Sequence, residues 1–540
     1  MTGTLQAILR QRATDDTTAV KFDGNTWTWR EHLERASAHA AALLAIADRT
    51  RPMHVGTLLG NTPSMLEQMA AAALGGYTLV GINDTRRGSA IVADVQRADC
   101  QILLVDAAHQ PLVADLDLGD IQVIDPGSEA WHESASAAGE LIPYRTSTAD
   151  DTFMLLFTSG TSGNPKAVKV PHSTVLISGQ ALAERFAISI GDTCYLSMPL
   201  FHSNAVYVGW GVAVCSGAAM APATFSASGF LRDVRRYDAT YMNYVGKPLS
   251  YILATQANDD DTDNPLRVAF GNEATDRDIE LFSERFGVTV WDGFGATENA
   301  VIITREAGTP RGSIGKGWPG IAIYDSETIT ECAPARFDAD GNLVNSHEAI
   351  GEIVNTAGLG MFAGYYNDEQ STAARTRHGM FWSGDLGYRD PAGWIYLAGR
   401  TGEWLRVDGE NVATAPIERI IMRHVDICVV AVYAVPDSHV GDQIMAAVVP
   451  VADARLTPAD FEEFLAAQRD LSPKAWPRYV RIASELPSTA THKILKRQLS
   501  EQGATADQGE LWQRDLRRTQ YHVVERGAPR GSHDVLVREA

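Results

Sequence analysis

A regular alternation of helix-like and strand-like segments near the start of the chain is the feature that most constrains the fold. The segment WTWREHLERASAHAAALLAIA places apolar residues at helical spacing, and the short apolar run HVGTLL follows it. The same order recurs in QMAAAALGGYTLVGI and in ADCQILLVD, where a segment rich in small residues leads into a strand. Because this order is typical of parallel crossover units, we predict an α/β fold with two α/β subdomains.

The residue pattern changes at about Ile314. Short runs typical of strands and Gly or Asp turns begin there, as in RFDADGNLV, IGEIVN and GWIYLAG. This pattern predicts an antiparallel, β-barrel-like lobe. After Gly399 a compact pattern of helix, strand, strand, helix and strand follows, in APIERIIMRH, DICVVAVYAV, QIMAAVVPV, PADFEEFLAAQ and RYVRIAS. We therefore predict an N-terminal domain over residues 1–399 and a small α+β C-terminal domain over residues 400–540. Around LWQRDLRRTQYHVV we expect a short helix, followed by a loose tail.

Length, charge and cysteine content narrow the class of protein. A chain of 540 residues exceeds one ordinary compact core. Its 46 basic and 67 acidic side chains give a formal net charge of −21, which argues against nucleic-acid binding and requires that anionic ligands meet locally placed cations. Five scattered cysteines without a CxxC pair fit a reducing cytosol, and the opening MTGTLQAILRQRATDD lacks the apolar run of a secretory signal. We predict a cytoplasmic protein.

The stretch from Val206 to Phe230 carries no charged side chain and is long enough to span a bilayer. Gly211, Ser216 and Pro222 dilute its hydrophobicity, so we predict a buried core segment and no integral membrane span. A lipid-like substrate would still allow peripheral contact with a membrane. The sequence leaves the oligomeric state open, a homodimer included.

The strongest local signal for chemistry is the loop TSGTSGNPK, which follows the apolar strand FMLLF. Its hydroxyls and glycines allow N–H and O–H groups to surround phosphate oxygens, and Lys166 adds positive charge. Pro165 stands where the second glycine of a Walker A loop belongs, which disfavours a kinase-type loop. A flexible linker is the alternative, against which the preceding strand and the Pro-Lys ending argue. The candidate phosphate-binding residues here are Thr158, Ser159, Gly160, Thr161, Ser162, Gly163 and Lys166.

The extended loop TSGTSGNPKAV resembles the signature of the adenylate-forming superfamily of acyl-CoA synthetases, peptide-synthetase adenylation domains and luciferases. Further motifs follow in the superfamily's order over nearly the full chain: SMPLFHS, AFGNEA, GFGATEN, WSGDLGYRD, GRTGEWLRVDGENV and TATHKILKRQL. GNEA, GATEN and GENVAT look closest to the fatty-acid transport proteins and very-long-chain acyl-CoA synthetases. Bacterial relatives of this group include ligases for fatty acids and for steroid side-chain acids.

The resemblance implies an ATP-dependent ligase that joins a small-molecule carboxylate to CoA through an acyl-AMP intermediate, with ATP, Mg²⁺ and CoA as its small-molecule partners. Because a carboxylate and the α-phosphate repel each other, metal and cations must neutralise the developing charge. Thr297 is expected to donate to phosphate, and Glu298 to hold Mg²⁺, with Thr161 as a second candidate metal contact. Lys493 is expected to be the catalytic lysine that bridges the acyl carboxylate and the α-phosphate. The alternatives are a helix-capping pair at Thr297 and Glu298 and a solvated surface lysine at Lys493.

The resemblance also implies contacts to the rest of the nucleotide. Asp385 is expected to accept hydrogen bonds from both ribose hydroxyls, and Arg400 to support the same nucleotide. The candidates on the adenine side are Gly271, Asn272, Glu273, Gly293, Phe294, Gly295 and Ala296. Phe294 replaces the tyrosine usual in the superfamily, so a contact through a phenol is absent there.

Residues of an uncharged stretch are candidates for the acyl pocket. His202 is assigned to gating of this pocket and not to acid–base chemistry, because a satisfied core histidine is the usual role in an apolar segment. Tyr207 and Trp210 could line an acyl tunnel, although core packing explains the same stripe equally well.

The acceptor of the acyl group depends on Gly409, Glu410 and Asn411, which the resemblance places on the CoA side. Gly402 and Glu403 stand where the superfamily has its domain hinge, so the C-terminal domain is expected to be mobile between the two half-reactions. Two alternatives stay open. One is an acyl-AMP ligase that passes the acyl group to a carrier protein. The other is a non-catalytic sensor of acyl groups or nucleotides, against which the joint presence of the charged motif residues argues.

Overall fold

A computed structural model describes residues 3–158, 165–339, 341, 343–400, 405–407, 410–412, 414–437, 441–452, 454–471, 473–488, 494–505, 509–514 and 519–524. The helices of this part are α1 (Leu5–Gln11), α2 (Trp29–Ile46), α3 (Pro63–Gly75), α4 (Ser89–Arg97), α5 (Glu129–Ala137), α6 (His172–Phe186), α7 (Gly211–Ser216), α8 (Phe230–Tyr237), α9 (Pro248–Leu253), α10 (Asp276–Phe286), α11 (Ser346–Ala349), α12 (Glu369–Arg375), α13 (Thr414–Ile421), α14 (Pro458–Ala467) and α15 (Lys496–Gln502). A π-helical segment spans Ala205–Trp210, and two 3-10 turns span Gln110–Leu112 and Pro473–Ala475.

The strands of the first part of the chain are β1 (Thr18–Phe22), β2 (Asn25–Thr28), β3 (His54–Leu58), β4 (Thr78–Gly81), β5 (Ile102–Val105), β6 (Gln122–Ile124), β7 (Thr152–Thr158), β8 (Lys166–Pro171), β9 (Thr193–Leu196), β10 (Ala219–Pro222), β11 (Tyr241–Val245), β12 (Val268–Asn272), β13 (Thr289–Gly295) and β14 (Ile302–Thr304). The later strands are β15 (Gly315–Gly317), β16 (Ile321–Asp325), β17 (Thr330–Glu331), β18 (Gly351–Asn355), β19 (Phe381–Arg389), β20 (Trp394–Arg400), β21 (Leu405–Val407), β22 (Glu410–Val412), β23 (Ile427–Asp437), β24 (Gly441–Pro450), β25 (Tyr479–Ile482), β26 (Glu510–Arg514) and β27 (Tyr521–Val523).

The chain divides into two compact units. The first unit comprises Met1–Arg305, Gly317–Ile321 and Asn355–Trp382, and the second comprises Glu306–Lys316, Ala322–Val354 and Ser383–Ala540.

Two mainly parallel series of strands build the first unit. One runs in the order β6-β5-β3-β4-β7-β8, parallel from β6 to β7, with β8 antiparallel to β7 at the edge. The other runs in the order β14-β13-β12-β11-β9-β10-β1-β2, parallel from β13 to β1 and antiparallel at both ends. Strands β3 and β5 are buried throughout, as expected for parallel strands covered on both faces. These series are the two predicted α/β subdomains.

The second unit carries an antiparallel sheet and a smaller C-terminal sheet. The first has the order β17-β16-β18-β19-β20-β15, and its pairs β16–β17, β19–β20 and β15–β20 are antiparallel. The second has the order β22-β21-β24-β25-β26-β27, with β23 also paired to β24. Side chains of α13 and α14, such as Ile417 and Phe461, share a buried core with Trp512 of this sheet. The predicted fold class, a large N-terminal α/β part with a second lobe and a small α+β C-terminal domain, is confirmed.

Local sequence signals set several helix boundaries. Thr28 caps α2, since its hydroxyl accepts from the Glu31 N–H at 3.1 Å and the Glu31 carboxylate accepts from the Thr28 N–H at 2.8 Å. Helix α3 starts at Pro63 and ends before Gly76, whose φ of 67° lies in the left-handed region that terminates helices.

One predicted element is wrong. The segment LWQRDLRRTQYHVV, for which we expected a helix, contributes to strands β26 and β27 instead. Leu511 and Trp512 are both buried, and they contact different apolar clusters, as successive residues of a strand do. Pairing with β25 therefore overrides the helical interpretation of a short amphipathic run.

The uncharged stretch after Val206 forms the end of the π-helical segment, helix α7 and strand β10, and most of their side chains are buried. The predicted core segment is confirmed. Among the helices that the structure describes, none has the length and apolar character needed to cross a membrane.

Candidate active site

The two ends of the predicted phosphate loop lie opposite each other in the first unit. Thr158 is the last residue of β7, Lys166 is the first of β8, and the antiparallel register pairs them directly. The loop is therefore the connection of a β-hairpin. Its five other candidates, Ser159, Gly160, Thr161, Ser162 and Gly163, lie outside the described residues.

A tyrosine that no motif had singled out contacts two of the candidate residues. The Tyr365 hydroxyl donates to Glu298 Oε1 at 2.7 Å, and Lys166 Nζ lies 5.1 Å from the centroid of the Tyr365 ring. Tyr365 follows Gly364 in AGYYND, and nothing in this short run signals a partner 67 positions earlier in the chain. The structure thus brings Lys166 and Glu298 to one aromatic side chain.

Thr297 and Glu298 lie in a turn after β13, where the Asn299 N–H donates to the carbonyl of Ala296 at 2.9 Å. No described helix begins there, so the helix-capping alternative is wrong. Thr297 Oγ1 lies 3.0 Å from Ser203 Oγ, and the Thr297 carbonyl accepts from the Tyr207 hydroxyl at 3.0 Å. These hydrogen bonds join the GATEN turn to the segment that contains the acyl-pocket candidates.

The adenine-side candidates stand at the carboxyl ends of two adjacent parallel strands. Strand β12 ends with Gly271 and Asn272, and the register places Asn272 beside Gly293 of β13. The Asn272 side-chain amide donates to the Gly293 carbonyl at 2.8 Å, which ties the AFGNEA and GFGATEN motifs together. A Cβ on Gly271 would collide with the carbonyl oxygen of Tyr244, so the backbone here requires glycine. Carboxyl ends of parallel strands are where α/β sheets bind ligands.

The remaining candidates of this group surround the same strand ends. Phe294 and Gly295 complete β13, and Ala296 follows them. Glu273 follows β12 with a φ of 68°, an uncommon left-handed conformation for a residue with a side chain.

The acyl-pocket candidates lie on and next to the π-helical segment. Tyr207 and Trp210 are 6% and 0% exposed, and Trp210 stacks on Phe153 with ring centroids 5.3 Å apart. Trp210 thus packs as a core residue. Burial lowers the pKa of His202 to about 4, so its ring is neutral at neutral pH. π-Helical turns recur at functional sites.

In the second unit, the ribose candidates form an ion pair. Asp385 lies on β19 directly opposite Arg400 of β20, and Arg400 Nε is 3.0 Å from Asp385 Oδ1. The Asp385 N–H donates to Ser383 Oγ at 3.0 Å, and the Gly384 N–H donates to Glu352 Oε1 at 2.6 Å. These bonds fix the backbone on which the carboxylate stands.

Three sets of predicted residues are only partly covered or not covered by the structure. The catalytic candidate Lys493, the hinge candidates Gly402 and Glu403, and the CoA-side candidate Gly409 lie outside the described residues. Glu410 and Asn411 belong to β22, and their side chains lie outside the described part of the chain.

The chemistry of Glu298 fits a role in holding a metal ion. Among the described residues, no group of three or more His, Cys, Asp or Glu side chains could enclose a metal. Within the same part of the chain, the carboxylate of half-buried Glu298 accepts a hydrogen bond at Oε1 alone. One available carboxylate oxygen suits Mg²⁺, which proteins often bind through one or two carboxylates together with substrate phosphates.

Comparison with known families defines the class of protein. The AMP-binding enzyme family matches residues 9–366, and the AMP-binding enzyme C-terminal domain matches residues 416–493. The chain therefore belongs to the family of AMP-binding enzymes.

Individual relatives narrow this class. Medium/long-chain-fatty-acid–CoA ligase FadD17 of Mycobacterium marinum is 50% identical over 90% of this chain and 93% of its own length. Steroid-22-oyl-CoA synthetase of Rhodococcus jostii is 42% identical over 92% of this chain and 91% of its own length. Long-chain fatty acid transport protein 1 of Bos taurus is more distant, at 29% identity over 70% of this chain and 61% of its own length. The predicted superfamily and group are confirmed.

A solved structure supports the fold. The crystal structure of ATP-bound MatB from Rhodopseudomonas palustris matches with a TM-score of 0.80 and 22% identity, covering 93% of this chain and 99% of MatB. The predicted reaction class, ATP-dependent formation of acyl-CoA with ATP, Mg²⁺ and CoA, is confirmed by the family and its CoA ligases. The carrier-protein and sensor alternatives are not favoured.

Proposed function

We propose that this AMP-forming acyl-CoA synthetase activates an acid with a long apolar body, in the first place a medium- or long-chain fatty acid. The hydrogen bond between Tyr207 and Thr297 carries the proposal, because it joins an uncharged segment to the motif at which the carboxylate would react. From Ser203 to Phe230 the sequence has no charged side chain. An acid with a second charge at its far end would leave that charge unpaired, and burying an unpaired charge is strongly unfavourable.

The relative of 50% identity supports this substrate class, since its name specifies medium- and long-chain fatty acids. A steroid side-chain acid is the second candidate, supported by the steroid-22-oyl-CoA synthetase of 42% identity. Both acids have a long apolar body, which the uncharged segment from Ser203 to Phe230 favours.

The proposed reaction has two steps. In the first, a carboxylate oxygen of the acid attacks the α-phosphorus of ATP, and the bond to pyrophosphate breaks. In the second, the thiolate sulfur of CoA attacks the acyl carbon, and AMP leaves with the electrons of the acyl–oxygen bond. Both steps move negative charge onto phosphate oxygens, so cations placed beforehand favour them.

We assign the residues of the first step by their chemistry. Lys166 holds the phosphates together with the hairpin loop, and Thr297 donates to phosphate. Lys493 bridges the acid and the α-phosphate. Mg²⁺, when bound, neutralises phosphate charge, and Glu298 and Thr161 are the residues proposed to hold it.

Further contacts complete the proposal. The ribose contacts are Asp385 and Arg400, and the adenine side comprises Gly271, Asn272, Glu273, Gly293, Phe294, Gly295 and Ala296. The proposed acyl-pocket residues are His202 and Tyr207, whereas Trp210 is a core residue. The CoA side comprises Gly409, Glu410 and Asn411. A mobile C-terminal domain from residue 400 onward carries Lys493. The proposed location is the cytoplasm, with peripheral contact to membranes that hold the acid and no nucleic-acid partner.

Mass spectrometry of the products tests the proposal. The purified protein is incubated with ATP, Mg²⁺ and CoA and with hexadecanoate, hexadecanedioate or a steroid side-chain acid. Hexadecanedioate is the matched control, because it differs from hexadecanoate by one terminal carboxylate. We expect hexadecanoyl-CoA and AMP, and much less product from the diacid. Equal turnover of both acids would contradict the apolar pocket, and preference for the steroid acid would select the second candidate.

A further inference from the structure

Tyr365 joins two candidate groups of opposite charge without neutralising either of them. Its hydroxyl is bonded to Glu298 at 2.7 Å, and its ring face lies 5.1 Å from the Lys166 ammonium. A cation over an aromatic ring is attracted to the ring and keeps its full charge. A carboxylate with one oxygen occupied by a hydroxyl donor keeps its other oxygen for a second partner.

Strand pairing determines where Tyr365 stands. Tyr365 forms a bridge with Val168 of β8, the Tyr366 N–H donates to Ala167 at 2.7 Å, and the Lys169 N–H donates to Gly364 at 3.0 Å. Lys166 and Val168 are two residues apart on β8 and so share one face of the strand. The residue opposite Val168 is therefore placed to reach Lys166.

Surrounding contacts hold the ring and the hydroxyl. Tyr365 is 4% exposed, and its N–H donates to Thr372 Oγ1 at 3.0 Å. The Tyr365 ring also packs edge-on against Phe362, with ring centroids 5.1 Å apart. These contacts hold the ring and the backbone of Tyr365 in place.

We propose that Tyr365 is a positioning residue that holds the Glu298 carboxylate and the Lys166 ammonium in their working places before nucleotide and Mg²⁺ bind. The inference rests on the proposed roles of Glu298 and Lys166. Through its hydroxyl Tyr365 selects one orientation of the carboxylate, and through its ring it restrains a long, flexible side chain. Hydrogen-bond partners of metal ligands change metal affinity or activity by roughly 10- to 100-fold when they are removed.

Two neighbouring tyrosines provide a matched test. Tyr365→Phe removes the hydroxyl and keeps the ring, and Tyr366→Phe removes a hydroxyl that donates to Asp99 at 2.9 Å instead. Binding of Mn²⁺ in the presence of a non-hydrolysable ATP analogue is followed by electron paramagnetic resonance. In parallel, the Mg²⁺ concentration for half-maximal ATP–pyrophosphate exchange is measured. We expect the Kd of Mn²⁺ and the half-maximal Mg²⁺ concentration to rise roughly 10-fold for Tyr365→Phe. Both quantities should stay at the wild-type level for Tyr366→Phe. Wild-type values for Tyr365→Phe would overturn the proposal.

A second variant separates the two uses of the side chain. Tyr365→Leu removes the ring as well, so we expect the Kd of the metal-free ATP analogue to rise further than in Tyr365→Phe. The same Kd in both variants would overturn the role of the ring toward Lys166. Thermal unfolding of each variant shows whether it is folded, and the Phe variant decides the hydroxyl's role even where the Leu variant unfolds.

Glu298→Gln distinguishes a failure of this inference from a failure of the underlying assignment. If Glu298→Gln leaves Mn²⁺ binding unchanged, Glu298 is not the metal ligand and both proposals fall. If Glu298→Gln weakens Mn²⁺ binding and Tyr365→Phe does not, only the positioning role falls. If Tyr365 acts through Glu298, the double variant binds Mn²⁺ no more weakly than Glu298→Gln alone.

Discussion

Arg400 Nε lies 3.0 Å from Asp385 Oδ1, directly across the ladder between β19 and β20. The Asp385 side chain is 8% exposed and that of Arg400 38% exposed, so the pair presents its guanidinium end to solvent. Ser383 Oγ accepts from the Asp385 N–H, and Glu352 Oε1 accepts from the N–H of the preceding Gly384. A carboxylate held in this way loses little freedom when it accepts hydrogen bonds from a ligand.

Asp385→Asn should weaken ATP binding. The amide keeps the shape of the side chain but removes the ionised acceptor, and hydrogen bonds to charged groups contribute about 1.5–3 kcal/mol, or roughly 10- to 100-fold in Kd. Isothermal titration with ATP measures the change. Glu331→Gln, which breaks the ion pair with Arg389 on the same sheet, is the control and should leave the Kd unchanged. An unaltered Kd for Asp385→Asn would remove Asp385 from the proposed nucleotide contacts.

Lys493→Ala should cripple adenylation and leave the fold intact, because loss of a group that stabilises transition-state charge costs roughly 10²- to 10³-fold in rate. ATP–pyrophosphate exchange with the acid present measures the first step alone. The control is Arg497→Ala, which removes an exposed cation 3.0 Å from Glu501 and should lower stability by no more than about 1 kcal/mol. Wild-type exchange by Lys493→Ala would show that another residue neutralises the charge.

Gly271→Ala should destabilise the protein, while Gly295→Ala should not. A Cβ at Gly271 meets the backbone carbonyl of Tyr244, which cannot move aside as a side chain can. A Cβ at Gly295 meets nothing within 4 Å. Overpacking of this kind costs about 1–3 kcal/mol or more. Urea unfolding followed by circular dichroism compares the two variants, and equal midpoints would contradict the close approach at Gly271.

Glu67 and Asp292 should each lower the free energy of unfolding as pH rises from about 5 to 8, whereas buried histidines of lowered pKa, such as His202, should raise it between about pH 4 and 6.5. Burial raises the pKa of Glu67 to about 7 from an ordinary value of 4.5, with nearby Arg35 opposing the shift. Burial likewise raises the pKa of Asp292 to about 7. A carboxyl with a raised pKa in the folded state contributes its full stability below the unfolded pKa and loses it as pH rises through the folded value.

Glu67→Gln should reduce this pH dependence, because the amide cannot ionise. The free energy of unfolding of Glu67→Gln relative to that of the wild type should therefore increase by about 1–3 kcal/mol between pH 5 and pH 8. Urea unfolding of both proteins at several pH values measures this difference. Glu34→Gln alters an exposed carboxylate of α2 and should reproduce the wild-type profile. A Glu67→Gln profile parallel to that of the wild type would show that Glu67 does not titrate in this range.

The local periodicity of apolar residues was sufficient to predict most helices and strands of the C-terminal domain. All five elements predicted after Gly399 are present, as α13, β23, β24, α14 and β25. Their apolar residues alternate or recur at helical spacing over stretches long enough to exclude the other period. The segment around Trp512 has an ambiguous period, and only the open edge of β25 decides that it is a strand.

The motifs identified the candidate residues but not their partners. Asp385 and Arg400 were both selected from sequence, and their mutual ion pair follows from the β19–β20 register. Tyr365 was not selected, because its partner Glu298 is 67 positions away and the contact depends on how residues near Gly364 pair with β8.

The sequence by itself determined the fold class, the family and the reaction, because these depend on hydrophobic period and on chemical groups at fixed local spacing. Only the tertiary structure decided that Tyr365 contacts Glu298 and Lys166 and that the Tyr207 hydroxyl donates to the GATEN turn. It also decided that the segments of β26 and β27 are strands. The physical reason is that such contacts depend on strand register and on the pairing of open sheet edges, which bring together residues distant in the chain.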